Sequence, residues 1–499
     1  FENHIWREIS DGVYLRKKIS SDIARFFDSR IKKIKKQIRE LDNESDTSDS
    51  ESEDEEFIKN KCRKHESKMP EKKRLEKIRD ELYGAMKKCG DASYKDKVMK
   101  ECMEQFYVED FEKNLDNNRY LFTFKNGVYD LKNNIFRDGM PEDYLSRVSG
   151  VEYKEYGDNS DEMKNIERLL VQWFPDNSIR KFFLDITSDV YVGGNFEKIV
   201  AIWSGDGDNG KSVLQNVLEQ MLGEYAKTLP TSLITSKRGG ADNASPCLHR
   251  VGNGVRWTVI DEPESKDVIN TGLLKQLTGN DKYYARPLYK EGREIKPMFK
   301  ICILCNRLPN LSSNEQAVWN RTRVLPFQST FKKNAPNTFE EQLKEKVFPI
   351  DTHFEDKIPE IITVLNYYLL RHRKHNPRHK RETPRAVLEA TDRYRSRCDI
   401  LKQFIDDRII KCNNDKFVTL HNLYNNKECG FRVWHRDSGQ DASLYTKNEV
   451  QEQLEKLWGP YEKGKKWKGY RLISLQEMFN EGKFETINDD DESMVLPSM

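Results

Sequence analysis

Residues 156–335 of this 499-residue chain predict an α/β fold built on a largely parallel sheet. Two observations carry that expectation. Apolar, strand-like runs alternate with helical stretches, the pattern of successive strand–helix–strand units. One of those runs, IVAIW at 199–203, passes directly into GDGDNGKS and then into an amphipathic helical pattern. The other candidate strands are WTVI at 257–260, FKICILC at 299–305 and TRVLPF at 322–327. Each is short and mainly apolar, as suits a strand covered on both faces.

The flanks read differently. Residues 1–155 are expected to be a mainly helical region, in which RIKKIKKQIRELD sets Ile31, Ile34 and Ile38 at helical spacing. Within it, NESDTSDSESEDEE at 43–56 has no apolar and no basic residue, so it cannot bury enough surface to offset its chain entropy and should be disordered. Its serines among acids invite phosphorylation, although a solvated surface insert is the plainer reading. At 122–139 the period changes, and β-formers on either side of Asn126-Gly127 and of Lys132-Asn133-Asn134 predict a small element of short strands and tight turns. Beyond 335, a helical stretch leads into RHRKHNPRHKR at 371–381, and 336–385 reads as a helix plus a basic linker in which His372, His375 and His379 are solvated. In 386–499, helices precede a hairpin-like segment turning near Gly464 or Gly469, which fits a small winged-helix-like domain.

Bulk composition excludes little. A formal charge of +2 on a chain that is 34% charged means that any preference for an anionic partner must come from local patches. Nine cysteines without a framework spacing suit free thiols in a reducing, intracellular compartment. No apolar run approaches the ~20 residues of a membrane span, so a soluble protein is expected. The chain opens on Phe1 with no targeting pattern and is expected to be a piece of something longer. Cys302 and Cys305 form C-x-x-C, but on a strand they point to opposite faces, which disfavours a zinc site.

The chemistry concentrates in 156–335. Gly205, Gly210, Lys211 and Ser212 satisfy G-x-x-x-x-G-K-[ST] between a strand and a helix. In such a loop, Gly205, Asp206, Gly207, Asp208, Asn209 and Gly210 wind tightly enough for backbone N–H groups to face phosphates. Lys211 reaches the β and γ phosphates, and Ser212 ligates Mg²⁺. WTVIDEPE then ends a strand on Asp261 and Glu262, where the first acid can hold Mg²⁺ and the second can orient an attacking water. FKICILCNRLPN ends another strand at Asn306, a candidate γ-phosphate sensor that alone reads equally as a turn cap. In WNRTRVLPF, Arg321 or Arg323 can reach a neighbouring subunit's nucleotide if the protein forms a ring, the two being equal candidates. Between the acids and Asn306, two strands around Lys290, Glu291 and Gly292 form a candidate hairpin. Tyr289, Lys290 and Arg293 there suit single-stranded nucleic acid by charge and stacking, and suit an ordinary edge hairpin equally.

Taken in this order, the motifs resemble those of superfamily III helicases, specifically the primase-helicases of poxviruses and other large cytoplasmic DNA viruses. FKNGVYDLKNNIFRD, then PEDYLSRVSGVEY, then VQWFPDNSIRKFFLDITSDVYVGGNFEKIVAIWSGDGDNGKS extend the resemblance over most of the chain. The resemblance implies an AAA+ ATPase core, an N-terminal helical collar and a hexameric ring that uses ATP and Mg²⁺ to move along single-stranded or forked DNA in the host cytoplasm. It gives Lys211 and Ser212 to phosphate and Mg²⁺, Asp261 and Glu262 to metal and water, Asn306 to the sensor, Arg321 or Arg323 to the trans finger, and Lys290 to the DNA hairpin. Asp208 departs from the Gly common in relatives, and Cys305 from the Thr that often precedes the sensor Asn. No acid set for a primase is found, and a primase half is expected before Phe1. A non-translocating AAA+ switch, or a P-loop kinase, shares the phosphate loop and stays open as an alternative.

Overall fold

The structure, a computed structural model, describes residues 1–46, 55–235, 245–263, 267–289, 291–309, 311, 316–378, 381–412, 416–438, 445–462, 466–474 and 477, with side chains for all of these except 43–46, 55–69 and Asp261. Arg7–Lys113 forms one compact unit, and Phe1–Trp6 with Asn114–Met499 forms the other.

In the smaller unit, helix α1 (Ala24–Asp46) packs along α2 (Glu55–Gly90), followed by α3 (Ala92–Gln105). Ile31 and Ile38 of α1 are buried, as their spacing requires. The margins of the acidic insert are helical rather than disordered: α1 runs to Asp46 and α2 starts at Glu55. Extending a helix already nucleated adds one hydrogen bond per residue fixed, which lets Asn43 to Asp46 follow it. The rest of the insert, 47–54, lies outside the described residues.

The larger unit opens with an antiparallel meander, β1 (Leu121–Phe124), β2 (Gly127–Asp130) and β3 (Ile135–Arg137). Its second turn is set by the Asp130 carboxylate, which accepts the backbone N–H groups of Lys132 at 2.9 Å and Asn133 at 3.2 Å. The meander belongs to the α/β core and not to the helical N-terminal region. Phe122 stacks on Tyr225 at 4.2 Å, and the Tyr225 hydroxyl accepts the Thr123 N–H at 3.0 Å.

That core is wrapped by α4 (Asp161–Trp173), α5 (Asn177–Ser188), α6 (Lys211–Leu222) and α7 (Thr271–Thr278) around strands β4 (Val200–Ser204), β5 (Ala226–Leu229) and β6 (Trp257–Asp261). A short hairpin, β7 (Tyr283–Ala285) with β8 (Arg293–Ile295), precedes β9 (Lys300–Cys305) and β10 (Thr322–Pro326). The five-stranded sheet is entirely parallel, in the order β10-β4-β9-β6-β5. Alternate residues feed two cores. Ala201, Trp203, Val259, Cys302 and Leu304 bury on one face, and Val200, Ile202, Ile260, Ile303 and Cys305 on the other. The paired cysteines therefore cannot share an ion. β5, with the sequence AKTL at one edge of the sheet, has no apolar run, since Lys227 and Thr228 are not buried.

After β11 (Thr330–Lys332) and β12 (Val347–Pro349), which pair in parallel, come α8 (Phe354–His375) and α9 (Arg385–Cys398). The basic run 371–381 is not a solvated linker; it folds onto the base of the sheet. Asp189 accepts from Arg373 at 2.6 Å, Arg378 at 2.8 Å and Arg381 at 3.0 Å. His372 meets Asp185 at 2.7 Å, and the buried ammonium of Lys300 donates to the Asp189 and Val192 carbonyls. Carboxylates this buried persist only with such partners. His379 lies outside the described residues.

The C-terminal module contains α10 (Ile400–Arg408), β13 (Ile409–Lys411), β14 (Phe417–Thr419), α11 (Leu420–Asn425), α12 (Phe431–Asp437), α13 (Lys447–Trp458), β15 (Lys466–Lys468) and β16 (Tyr470–Leu472). It has a core of its own around Phe404, Phe431, Trp434 and Trp467. This core begins at Ile400 rather than at 386, because Ala390 and Tyr394 of α9 are buried against the sheet. The last two strands, separated only by Gly469, do not form a hairpin with each other. β15 pairs with β14 and β16 with β13, both antiparallel. The candidate turn at Gly464 lies outside the described residues.

Burial alone would raise the Asp189 carboxyl's pKa, but the Lys300 ammonium and the Arg378 and Arg381 guanidinium groups outweigh it and hold it below the ordinary value. Its stabilisation is therefore complete above the unfolded value near ~3.9 and is lost as pH falls through the depressed folded value. Asp189→Asn is expected to cost about 3–5 kcal/mol by stranding three guanidinium groups, and to flatten the acid limb of the stability curve. Denaturant unfolding across pH checks both.

Candidate active site

Parallel register brings the candidate residues to one end of the sheet. Ser204 at the end of β4 stands opposite Cys305 at the end of β9, and Leu304 stands opposite Asp261 at the end of β6. The phosphate loop, Asn306 and the acid pair therefore leave three adjacent strands at their carboxyl ends, where open α/β sheets bind ligands. With strands ~4.8 Å apart, the acids sit about 10 Å from the loop's start.

The loop has a fixed backbone path. Gly205 has no room for a side chain: a Cβ would meet the Asn209 amide nitrogen at 2.4 Å and the Phe327 carbonyl at 2.8 Å. Gly210 caps α6 in the left-handed region at φ 76°, with Trp173 and Phe331 each 3.0 Å from a notional Cβ. Asp208 is also left-handed, at φ 58°, and its carbonyl accepts the Phe331 N–H at 2.7 Å. Gly207 faces open space. Buried Asn209 ties the loop across itself, its amide donating to the Asp206 carbonyl.

Lys211 is 5% exposed, and its ammonium donates to the Gly205 carbonyl at 2.6 Å, to the Asn209 side-chain oxygen at 2.9 Å and to the Asp206 carbonyl at 3.3 Å. Burial pulls its pKa below the ordinary lysine value, against the opposing influence of Cys305, Asp206 and Glu262. Those three groups are thus its electrostatic neighbours. Burial pushes the Cys305 thiol up to about 12, so it stays neutral beside the ammonium. Glu262 is exposed at the mouth, held at φ 39° with its N–H on the Leu304 carbonyl at 2.9 Å. A non-glycine residue in that conformation stores strain of the kind found at functional sites. Ser212 is exposed in the first turn of α6, whose leading N–H groups have no acceptor within the helix. Asn306 is exposed just past β9, and the Asp261 side chain lies outside the described residues.

Two groups of candidates are elsewhere. Arg321 and Arg323 stand toward the opposite end of the sheet, with Arg323 opposite Ala201 and Thr322 opposite Val200, so about 10 Å of β4 separates the level of Arg323 from their own loop and about 13 Å or more that of Arg321. Arg323 is half-buried, donating to Thr383 at 3.4 Å and to the Asn320 and Thr322 carbonyls at 3.1 and 2.8 Å. Arg321 donates to the Ala317 carbonyl at 2.7 Å, and its Nε has no acceptor among the described residues. The hairpin is real but short, three residues a side, with Tyr289 99% exposed in its connection. Arg293 is half-buried on β8 beside Tyr283, and Lys290 lies outside the described residues.

One feature of the site escaped the motif search. A cavity of about 670 Å³ opens beside Asp208, Gly210 and Val213, walled by Trp173, Phe331, Phe354 and Ile350 and edged by Gln172 and Asp351. A pocket with an aromatic and aliphatic wall, bordered by charged residues including Glu162, Arg168, Lys357 and Glu360 and touching the glycine-rich loop, has the size to hold a nucleoside. The signal for it in sequence was Trp173 at the end of α4, which reads as ordinary core.

Against known proteins, residues 2–176 match the family described as D5 N terminal like. "Putative helicase 022R" of Frog virus 3 is 31% identical, aligning with 96% of this chain and 55% of its own length. "Putative helicase L207/L206" of Acanthamoeba polyphaga mimivirus is 34% identical over 88% of this chain and 43% of its own. "Putative primase C962R" of African swine fever virus is 23% identical over 78% and 41%. The chain spans about half the length of the curated relatives it matches.

Gly205→Ala is expected to weaken binding of a fluorescent ATP analogue at least about tenfold, because the loop must shift to clear Asn209 and Phe327. Trp173→Ala should weaken binding of the same analogue while sparing inorganic triphosphate, read by competition. The identity and extent of these matches make the chain a homologue of the "Putative helicase" proteins of large DNA viruses, with a D5 N terminal-like region over residues 2–176.

Proposed function

We propose that the chain is the motor part of an ATP-dependent DNA helicase used in viral replication, an AAA+ ATPase acting as a ring, by analogy a hexamer, within a longer primase-helicase. The observation that carries this reading is the division of the sheet: phosphate loop, Glu262 and Asn306 at one end, Arg321 and Arg323 at the other. Arginines so placed can act only on a nucleotide held by a neighbour, which is the logic of a ring motor. Helicase and primase names among the relatives point the same way.

The loop's residues fit ATP and Mg²⁺. The N-terminus of α6 and the loop N–H groups would face the phosphates, and Lys211 would turn from its carbonyl partners to the β and γ phosphates. Ser212 with Asp261 would hold Mg²⁺, which supplies charge neutralisation at the transferred phosphoryl group. Glu262 would align the attacking water, Asn306 would sense the γ-phosphate, and the cavity of Trp173 and Phe331 would take the base. Arg321 is the stronger trans candidate, because Arg323 is already engaged with Thr383 and burial depresses its pKa. Tyr289 at the hairpin connection would stack on single-stranded DNA, with Lys290 on its phosphates. The C-terminal module, in which the two strands after the helices pair antiparallel with two strands before them, is read as winged-helix-like.

Lys211→Ala should lower DNA-stimulated ATP hydrolysis at least about a hundredfold and abolish unwinding. An active variant would remove the phosphate-loop assignment. Lys211→Ala and Arg321→Ala subunits, each inactive, should regain ATPase when mixed, since an intact loop then meets an intact arginine across an interface. A monomer whose ATPase ignores DNA would favour the switch reading.

A further inference from the structure

We propose a second nucleic-acid site, on the β14–β15 ribbon of the C-terminal module, that binds single strands without nucleotide and apart from the β7–β8 hairpin. Register separates the ribbon into two faces. Val418 and Trp467, directly opposite each other, are buried, and Trp467 is fixed from beneath by an edge contact with Trp458 and by its indole N–H, which donates to the Gly459 carbonyl at 3.0 Å. Their neighbours necessarily point the other way. Phe417 opposite Lys468 and Thr419 opposite Lys466 form the outer face.

Phe417 is 49% exposed, an unusual position for a phenyl ring on a strand with a packed face available. Around it, Lys466 holds its ammonium 4.3 Å from the ring centroid, while Lys468 and Lys416 are exposed. Glu462 is the one acid engaged there among the described residues, 3.1 Å from the Lys468 ammonium, and both side chains remain more than half exposed. Aromatic surface ringed by movable cations on a rigid ribbon is the arrangement that grips single strands: bases stack on the ring and lysines take the phosphates. The plainer alternative is a self-contained surface contact between Lys466 and Phe417. An exposed cation–π contact is weaker than a base stacked on the same ring, so a single strand displaces the ammonium onto its own phosphate. A duplex, with its bases already stacked, gains nothing from Phe417, which favours a single-stranded ligand.

The test uses the full chain carrying Tyr289→Ala, so that the hairpin's aromatic does not mask the ribbon, with a fluorescein-labelled single-stranded oligonucleotide and no nucleotide. Phe417→Ala is expected to weaken binding about tenfold, and Phe417→Trp to preserve it. Lys466→Gln with Lys468→Gln should reduce the slope of log affinity against log salt by about 1.4, two phosphate contacts' worth. Melting temperatures should not move, since the substituted side chains lie on the outer face. Affinity and slope unchanged in these variants, or Phe417→Trp as weak as Phe417→Ala, would overturn the site. Because no ATP is present, failure here is distinct from failure of the phosphate-loop assignment.

Discussion

The parallel register of β4 with β9, and of β9 with β6, is the constraint on which the rest of the structure depends. Strands buried on both faces cannot slip: a one-residue shift would exchange the Trp203–Cys302–Leu304 side with the Ile202–Ile303–Cys305 side and put large residues where small ones fit. Because the strands cannot slide, their ends cannot part. Ser204, Cys305 and Asp261 finish at one level, and the loop, the sensor candidate and the acid pair inherit that alignment from the strands they leave. The same register that gathers these residues places Arg321 and Arg323 toward the other end of the sheet.

At the other end of the sheet, electrostatics does the holding. Asp185 and Asp189 come from the end of α5, and their partners from a run almost 190 residues later. In sequence, RHRKHNPRHKR displays only its excess of like charge, which in isolation means repulsion and solvation. The two carboxylates that reverse this conclusion are ordinary-looking acids in an amphipathic helix, and no local pattern links them to the run. Folding brings the halves together and clamps α8, and the segment leading to α9, against the base of β4 and β9. Arg323 is packed in the same neighbourhood, with Glu197 as its charge partner.

What was legible follows the same division. The four strands that are buried on both faces were readable within a residue or two, because continuous apolar runs leave few other options. β5 was hidden because Lys227 and Thr228, which are not buried, break its apolar pattern. The place of the glycine-rich loop between strand and helix was legible because its glycines answer to local geometry: Gly205 to a close approach, Gly210 to a left-handed cap. The aromatic cavity was not, since Trp173, Phe331 and Phe354 come from three separate segments and each alone resembles core. Pairing of the last two strands with β13 and β14 was equally unreadable, because adjacency in sequence favours a hairpin and only the packing of Trp467 decides otherwise.

The two aspartates of GDGDNGKS acquire a reason in this light. Neither has its carboxylate hydrogen-bonded into the loop; both contribute main-chain carbonyls. Asp206 offers its carbonyl to Asn209 and Lys211, and its charge helps keep that buried lysine protonated. Asp208 occupies a left-handed position that aspartate tolerates better than most residues, and its carbonyl is bonded to the N–H of Phe331. Phe331 is also a wall of the aromatic cavity, so one backbone bond joins the part of the site suited to a base with the part suited to phosphates. A glycine at 208 would preserve the bond but widen the conformations open to the unbound loop. Aspartate narrows them, and the loop is held in its path by main-chain geometry, whatever the sign of the side chains along it.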